Sequence, residues 1–290
     1  MPRQLRQILA NNYPLDNMNS SEIQIAAIQM VSTPMPEENI RTASRLIKSA
    51  AEVGAQMVVL PEYFCLMGFK DTDKLQVSEE LGKGPIQEAL HSIAKANSIY
   101  LVAGTIPLQA RTDNKVLNTT LVFNPAGEQI GRYDKIHLFG FETETERYAE
   151  AETIESGNQP GTFDFNINGI NWRFGLSICY DLRFPELYRS IGPVDCHIIP
   201  AAFTYTTGKD HWEILLRARA IENQCYVLAS AQGGQHQNNR RTWGNSMLID
   251  PWGTVLTHLP EGEGFISGIL SKDRLNEVRS KLPALKHRKL

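Results

Sequence analysis

From Ile23 onward the sequence alternates continuously apolar runs with segments whose apolar residues recur at helical spacing, and this rhythm admits few folds. "IQIAAIQM" (23–30) reads as a strand, "ENIRTASRLIKSAAEVG" (38–54) as a helix closed by a glycine, and "AQMVVLPE" (55–62) as a strand again. A second cycle brings "PIQEALHSIAKANS" (85–98), a helix, then the strands "IYLVAGTI" (99–106) and "NTTLVFNP" (118–125). "NPAGEQIGRYDK" is a turn into further extended chain. In the second half "WRFGLSIC" (172–179), "CHIIPAA" (196–202), "CYVLASAQ" (225–232) and "NSMLIDPWG" (245–253) are predicted strands, with "HWEILLRARAIENQ" (211–224) a helix. Strands that are apolar throughout must be covered on both faces, which predicts an α/β chain with helices packed on buried sheets. Residues 1–22 are polar and are read as an N-terminal extension. Residues 23–290 carry no linker, repeat or low-complexity tract, and are read as one domain.

The remaining bounds exclude several classes of function. A net charge of −3 with 21% charged residues gives no basic face for nucleic acid, and the basic "LKHRKL" (285–290) is read as a solvated end. No apolar run approaches the ~18 residues of a membrane span and no secretory signal is visible, so no membrane partner and a cytoplasmic location are expected. Cys65, Cys179, Cys196 and Cys225 are too scattered for a disulfide framework or a CxxC zinc site, and the histidines show no HExxH spacing. No metal site is therefore predicted. Dinucleotide and P-loop glycine patterns are missing as well.

In α/β folds the chemistry gathers where strands end. Glu62 ends "VVLPE", Lys135 lies in "GRYDKIHLF", and Cys179 ends "GLSIC" where charge arrives at once with Asp181, Arg183 and Glu186. Alone, each has an ordinary reading, as a rim charge or a small buried thiol. "DLRFPELYRS" reads as a helix start with Asp181 as a cap, and a thiol at that junction is expected to lose pKa to the helix N-terminus. Together the three types meet the needs of acyl transfer from an amide: a nucleophile, a base and a cation for the oxyanion.

The blocks "LPEYF", "DKIHLF" and "CYDLRFPELYR" resemble, in order and spacing, the Glu, Lys and Cys motifs of the nitrilase superfamily of carbon–nitrogen hydrolases. "PAAFTYTTGKDHWEILLRARAIENQCYVLASAQ" and "GNSMLIDPWG" are similar to the branch that holds deaminated glutathione amidases and ω-amidases. The resemblance implies a four-layer α-β-β-α sandwich, no cofactor, and a homodimer or higher homo-oligomer packed through the helices after Cys179 and around Trp212. It implies Cys179 as nucleophile, Glu62 as base, and Lys135 with the Tyr180 N–H as oxyanion donors. An amide then gives a thioester, releases ammonia, and is hydrolysed by a Glu62-activated water. A second glutamate falls on Glu150, in a stretch crowded by Glu144, Glu146, Glu152 and Glu155.

Arg183 either grips a substrate carboxylate or pairs with Asp181 or Glu186. "AFTYTTG", read as a loop, offers Phe203, Tyr205, Thr206 and Thr207 as pocket wall. The expected substrate is a small carboxylate-bearing amide, with N-carbamoyl amino acids, aliphatic amides and nitriles as alternatives. The acidic loop "GFETETERYAEAETIESGN" (140–158) is expected to disfavour long polyanionic substrates. Two rival readings are a Cys–His hydrolase using His137 or His211, and a binding protein that keeps only the fold.

Overall fold

The computed structural model describes residues 19–144 and 147–289, so most of the expected N-terminal extension, and Glu146, lie outside it. The first half runs β1 (Glu22–Gln29), α1 (Pro36–Glu52), β2 (Met57–Val59), the one-turn α2 (Asp73–Gln76), α3 (Pro85–Asn97), β3 (Tyr100–Gln109), β4 (Val116–Phe123) and β5 (Gln129–Asp134). A ribbon of β6 (Gly140–Glu142) and β7 (Arg147–Ala149) follows, then the short β8 (Ile154–Glu155). The second half runs β9 (Gly161–Ile167), β10 (Ile170–Leu176), α4 (Pro185–Ile191), β11 (Cys196–Ala201), α5 (Tyr205–Asn223) and β12 (Tyr226–Ala231). After these come the ribbon β13 (Gly233–Gln235) and β14 (Arg241–Trp243), then β15 (Ser246–Ile249), β16 (Val255–Leu259), β17 (Gly264–Ser271) and α6 (Lys272–Lys281).

Two sheets form. One has the order β17-β1-β2-β3-β4-β5 with β8 beside β4; the other is β16-β15-β12-β11-β10-β9. Each centres on parallel strands, β1-β2-β3 and β10-β11-β12, which is why those sequences are apolar without alternation. The sheets face one another across a core that includes Ile25, Val59, Phe174 and Ile198 and continues to Trp212 and Leu216 of α5. On the outer side of the first sheet, α1 and α3 bury Leu46, Ile47, Leu90 and Ile93. This is the α-β-β-α sandwich expected. Among the described residues no helix is long and apolar enough to cross a membrane.

Three local expectations change. The "VVLPE" strand ends at Val59, and Leu60–Glu62 leave the sheet. "AFTYTTG" is not a loop: α5 begins at Tyr205, six residues before the expected start, and Gly208 lies inside it because Trp243 packs there, its Cβ 2.4 Å from where a Cβ on residue 208 would stand. The chain after Cys179 first makes a 3₁₀ turn over Cys179–Arg183, and the α-helix starts only at Pro185, so Asp181 is not that helix's cap. Proline at the first helical position sets that boundary.

Candidate active site

Glu62 is carried by the segment that leaves β2. Gly104 on β3 allows this: a Cβ there would lie 2.0 Å from the Pro61 carbonyl oxygen. The backbone is pinned on both sides, with Gln232 Nε2 donating to the Glu62 carbonyl (3.1 Å) and the Tyr63 N–H donating to Thr105 Oγ1 (2.8 Å). The carboxylate then accepts from Asn118 Nδ2 (2.9 Å) and Lys135 Nζ (2.9 Å) on Oε1, and from the Ala202 N–H (2.8 Å) on Oε2.

Lys135 follows β5 and is fully buried. Its ammonium also donates to both oxygens of Glu150, at 2.9 and 2.8 Å. Glu150 further accepts from Tyr63 OH (2.8 Å) and the Phe139 N–H (2.7 Å), so the β6–β7 ribbon delivers it to the lysine. Two of its acidic neighbours are engaged elsewhere: Glu152 pairs with Arg147 at the surface and Glu155 accepts from the Thr112 N–H. Tyr148 and Glu150 of the acidic loop, with Phe139 just before it, line the site.

Cys179 sits against Glu62, with which its thiol interacts directly. Its φ is +48°, left-handed backbone that costs a side-chain-bearing residue about 1–2 kcal/mol. Asp181 holds this turn. One carboxylate oxygen accepts from the Ile178 N–H (2.8 Å) and Tyr133 OH (2.7 Å), while the other bonds His137 at its N–H (3.0 Å) and ring Nδ1 (2.7 Å). The cysteine turn is thereby tied to the lysine segment. His137 is committed to Asp181 and stacks on Phe184, and His211 contacts Arg183, so neither rival base is turned to the thiol.

Burial sets the electrostatics. It pushes the Glu62 carboxyl up, Lys135 opposes, and the net stays above the ordinary 4.5. Burial would raise Glu150 too, but Lys135 outweighs it and holds Glu150 below that value. For Lys135, burial disfavours the cation and the two carboxylates overcome it, keeping the ammonium charged. Two carboxylates whose titrations are driven apart can take different roles, a permanent counter-ion and a proton acceptor. The Cys179 thiol is raised by burial and then by Glu62, which corrects the expectation that a helix N-terminus lowers it. Cys179 therefore rests as a protonated thiol beside the Glu62 carboxyl.

These groups open into a cleft of about 710 Å³, lined also by Tyr180, Phe203 and Thr207. Arg183, Tyr205 and Thr206 do not line it. Arg183 reaches His211 (3.1 Å) and lies over the Tyr180 and Phe203 rings. Sequence reasoning gave no role in the site to Tyr63 or Asn118, and overlooked Lys74, Arg240 and Arg241 on the cleft wall. Among the described residues no cluster of His, Cys, Asp or Glu is arranged to hold a metal ion.

Residues 24–280 match the family model for carbon-nitrogen hydrolases. The chain belongs to the carbon-nitrogen hydrolase family. A deaminated glutathione amidase of Synechocystis is 40% identical over 91% of this chain and 97% of its own length. Nit3 of Saccharomyces cerevisiae, described as a member of branch 10 of the nitrilase superfamily, superposes with a TM-score of 0.82 at 30% identity, covering 93% of this chain and 97% of that one. The C. elegans NitFhit protein gives 0.83 at 34% identity, covering 94% of this chain and 66% of that longer one. This carbon-nitrogen hydrolase is thus an amidase-type enzyme on a nitrilase fold.

Proposed function

We propose that the protein hydrolyses amides whose acyl half ends in a carboxylate, with Cys179 as nucleophile. The observation that carries this is the buried Glu62–Lys135–Glu150 array against the thiol. Glu62 takes the thiol proton as sulfur attacks the carbonyl carbon, and Lys135 with the Tyr180 N–H receives the oxyanion. Collapse expels ammonia, or an amine from a substituted amide, protonated through Glu62. The same carboxylate then draws a proton from the water that cleaves the thioester. Glu150 keeps Lys135 charged throughout. A carboxylate-bearing substrate is supported by Lys74 and Arg240 on the cleft wall and by relatives named for deaminated glutathione.

The test is release of ammonia or amine across carboxylate-bearing amides, neutral amides, N-carbamoyl amino acids and nitriles. Carboxylate-bearing amides should be fastest and nitriles inert; fastest turnover of a nitrile or an N-carbamoyl compound would overturn the reading. Glu62 must be ionised to act, so kcat/KM should fall as pH drops through a value above 4.5.

We also infer a homodimer acting in the reducing cytoplasm, where a thiol nucleophile survives; all four cysteines are free. Trp212 and Leu216 are buried and Trp212 Nε1 donates to the Asn245 carbonyl, so they belong to the core. On the same helix Ile214 and Ile221 remain 70% and 51% exposed, and a second copy would cover them. Light scattering at micromolar concentration should give twice the chain mass; a monomer refutes it.

A further inference from the structure

The cleft is electrically polarised. Its inner end holds Glu62, Lys135 and Glu150, two negative charges and one positive, while its outer wall sets Lys74, Arg240 and Arg241 against Asp71. An acid-bearing amide therefore meets repulsion at one end and attraction at the other, which orients it before any contact forms. The three outer cations are not equivalent. Arg241 lies 3.8 Å over the Tyr205 ring and reaches Glu261 (3.4 Å), so it is turned away along the surface. Arg240 borders both the main cleft and an adjoining cavity of about 490 Å³, as do Asp71 and Lys74.

Arg240 is also held in place. Its backbone N–H donates to Asn238 Oδ1 (3.0 Å), Asn238 is anchored on the Gly68 carbonyl (2.7 Å), and the guanidinium lies 5.5 Å over the Tyr148 ring. Asp71 meets Nη2 at 2.5 Å. That pair uses one nitrogen of a fork built to engage carboxylates in parallel. Lys74, whose ammonium donates to Thr153 Oγ1 (3.1 Å), is close enough to feel Asp71, Arg240 and Glu150, and so bridges the outer cations to the catalytic array.

We propose that Arg240, seconded by Lys74, is the receptor for the substrate's distal carboxylate, with Asp71 as the internal anion that holds the guanidinium ready and competes with the substrate for it. This rests on the amidase reading above. It displaces Arg183, which does not line the cleft and whose guanidinium is engaged by His211 and lies over the rings of the lining residues Tyr180 and Phe203.

The test compares kcat/KM for glutaric acid monoamide with that for pentanamide, which has the same chain length and no charge. The ratio of the two is read in wild type and in Arg240→Gln, Arg240→Lys, Asp71→Asn and Arg183→Ala. In Arg240→Gln the ratio should fall on the order of 10²-fold, through KM, the size of a lost hydrogen-bonded charge pair. Arg240→Lys should recover part of it, and Asp71→Asn should raise it by freeing the fork. A merely structural arginine would lower both substrates in parallel and leave the ratio intact, which overturns the proposal. A ratio that collapses in Arg183→Ala and not in Arg240→Gln overturns it too, while leaving the amidase reading standing. A wild-type ratio near one sinks the acid preference itself.

Discussion

Cys179→Ala should lose kcat on the order of 10⁶-fold, the scale of removing a nucleophile that works as part of a unit, and should remain folded. Alanine accepts the same left-handed backbone at the same cost as cysteine, and the Asp181 bonds that shape the turn do not involve the sulfur. Cys179→Ser should be nearly as inactive, because the environment already raises the thiol and a hydroxyl is far harder to deprotonate. Cys179→Gly separates fold from function. It should be just as dead yet lose the strain of φ +48°, gaining up to about 1 kcal/mol less the lost packing. Single-turnover assays with amide detect any residual acylation, and wild-type hydrolysis in any of the three would remove Cys179 from the chemistry.

Lys135→Met should lower kcat by 10²-fold or more, on the order of the loss when an oxyanion donor is removed. A second effect follows from the geometry. Glu62 and Glu150 both rest on the lysine, at 2.9 and 2.8 Å, and without it the buried Glu62 and the partly buried Glu150 carboxylates face one another with no cation between them. Removing one partner from such an array costs about 3–5 kcal/mol unless a proton is taken up. The variant should therefore be less stable at neutral pH and recover stability as pH falls and the carboxylates share a proton. Chemical denaturation at two pH values measures this beside the kinetics. His137→Asn should cost far less turnover, since His137 braces Asp181 and does not face the sulfur. The reverse order, with the histidine variant dead and the lysine variant active, would make this a Cys–His enzyme.

The parts legible in the sequence were those written in local order. Parallel strands announce themselves as unbroken apolar runs, and Glu62, Lys135 and Cys179 each follow such a run or its flanking turn, so the three could be named without coordinates. Glu150 was picked from a crowd of glutamates by resemblance alone; the reason it differs from Glu152 is that Phe139 and Tyr63 hold it to the lysine. What stayed hidden depends on the fold bringing distant residues together. Asn118 meets Glu62 across 56 residues, and Arg240 meets Asp71 across 169. Helix starts also misled. A glycine at 208 looked like a loop end because the residue that packs against it, Trp243, lies on β14, distant in sequence. The thiol's pKa went the wrong way for a related reason, since proximity to a helix start is local information and burial beside Glu62 is not.

The first strand of the sandwich closes against the last, Glu22 opposite Ser271 and Gln29 opposite Gly264. During synthesis β1 emerges early, yet the strand that covers its free edge is made about 240 residues later, a wait of roughly 12–50 s at ribosomal rates of about 5–20 residues per second. For that interval "IQIAAIQ" presents an apolar, unpaired edge, the kind that recruits other chains. The burden of keeping this protein from aggregating thus falls on the nascent chain and its chaperones, and a ribosome stalled before Gly264 leaves behind a sticky product instead of a smaller enzyme.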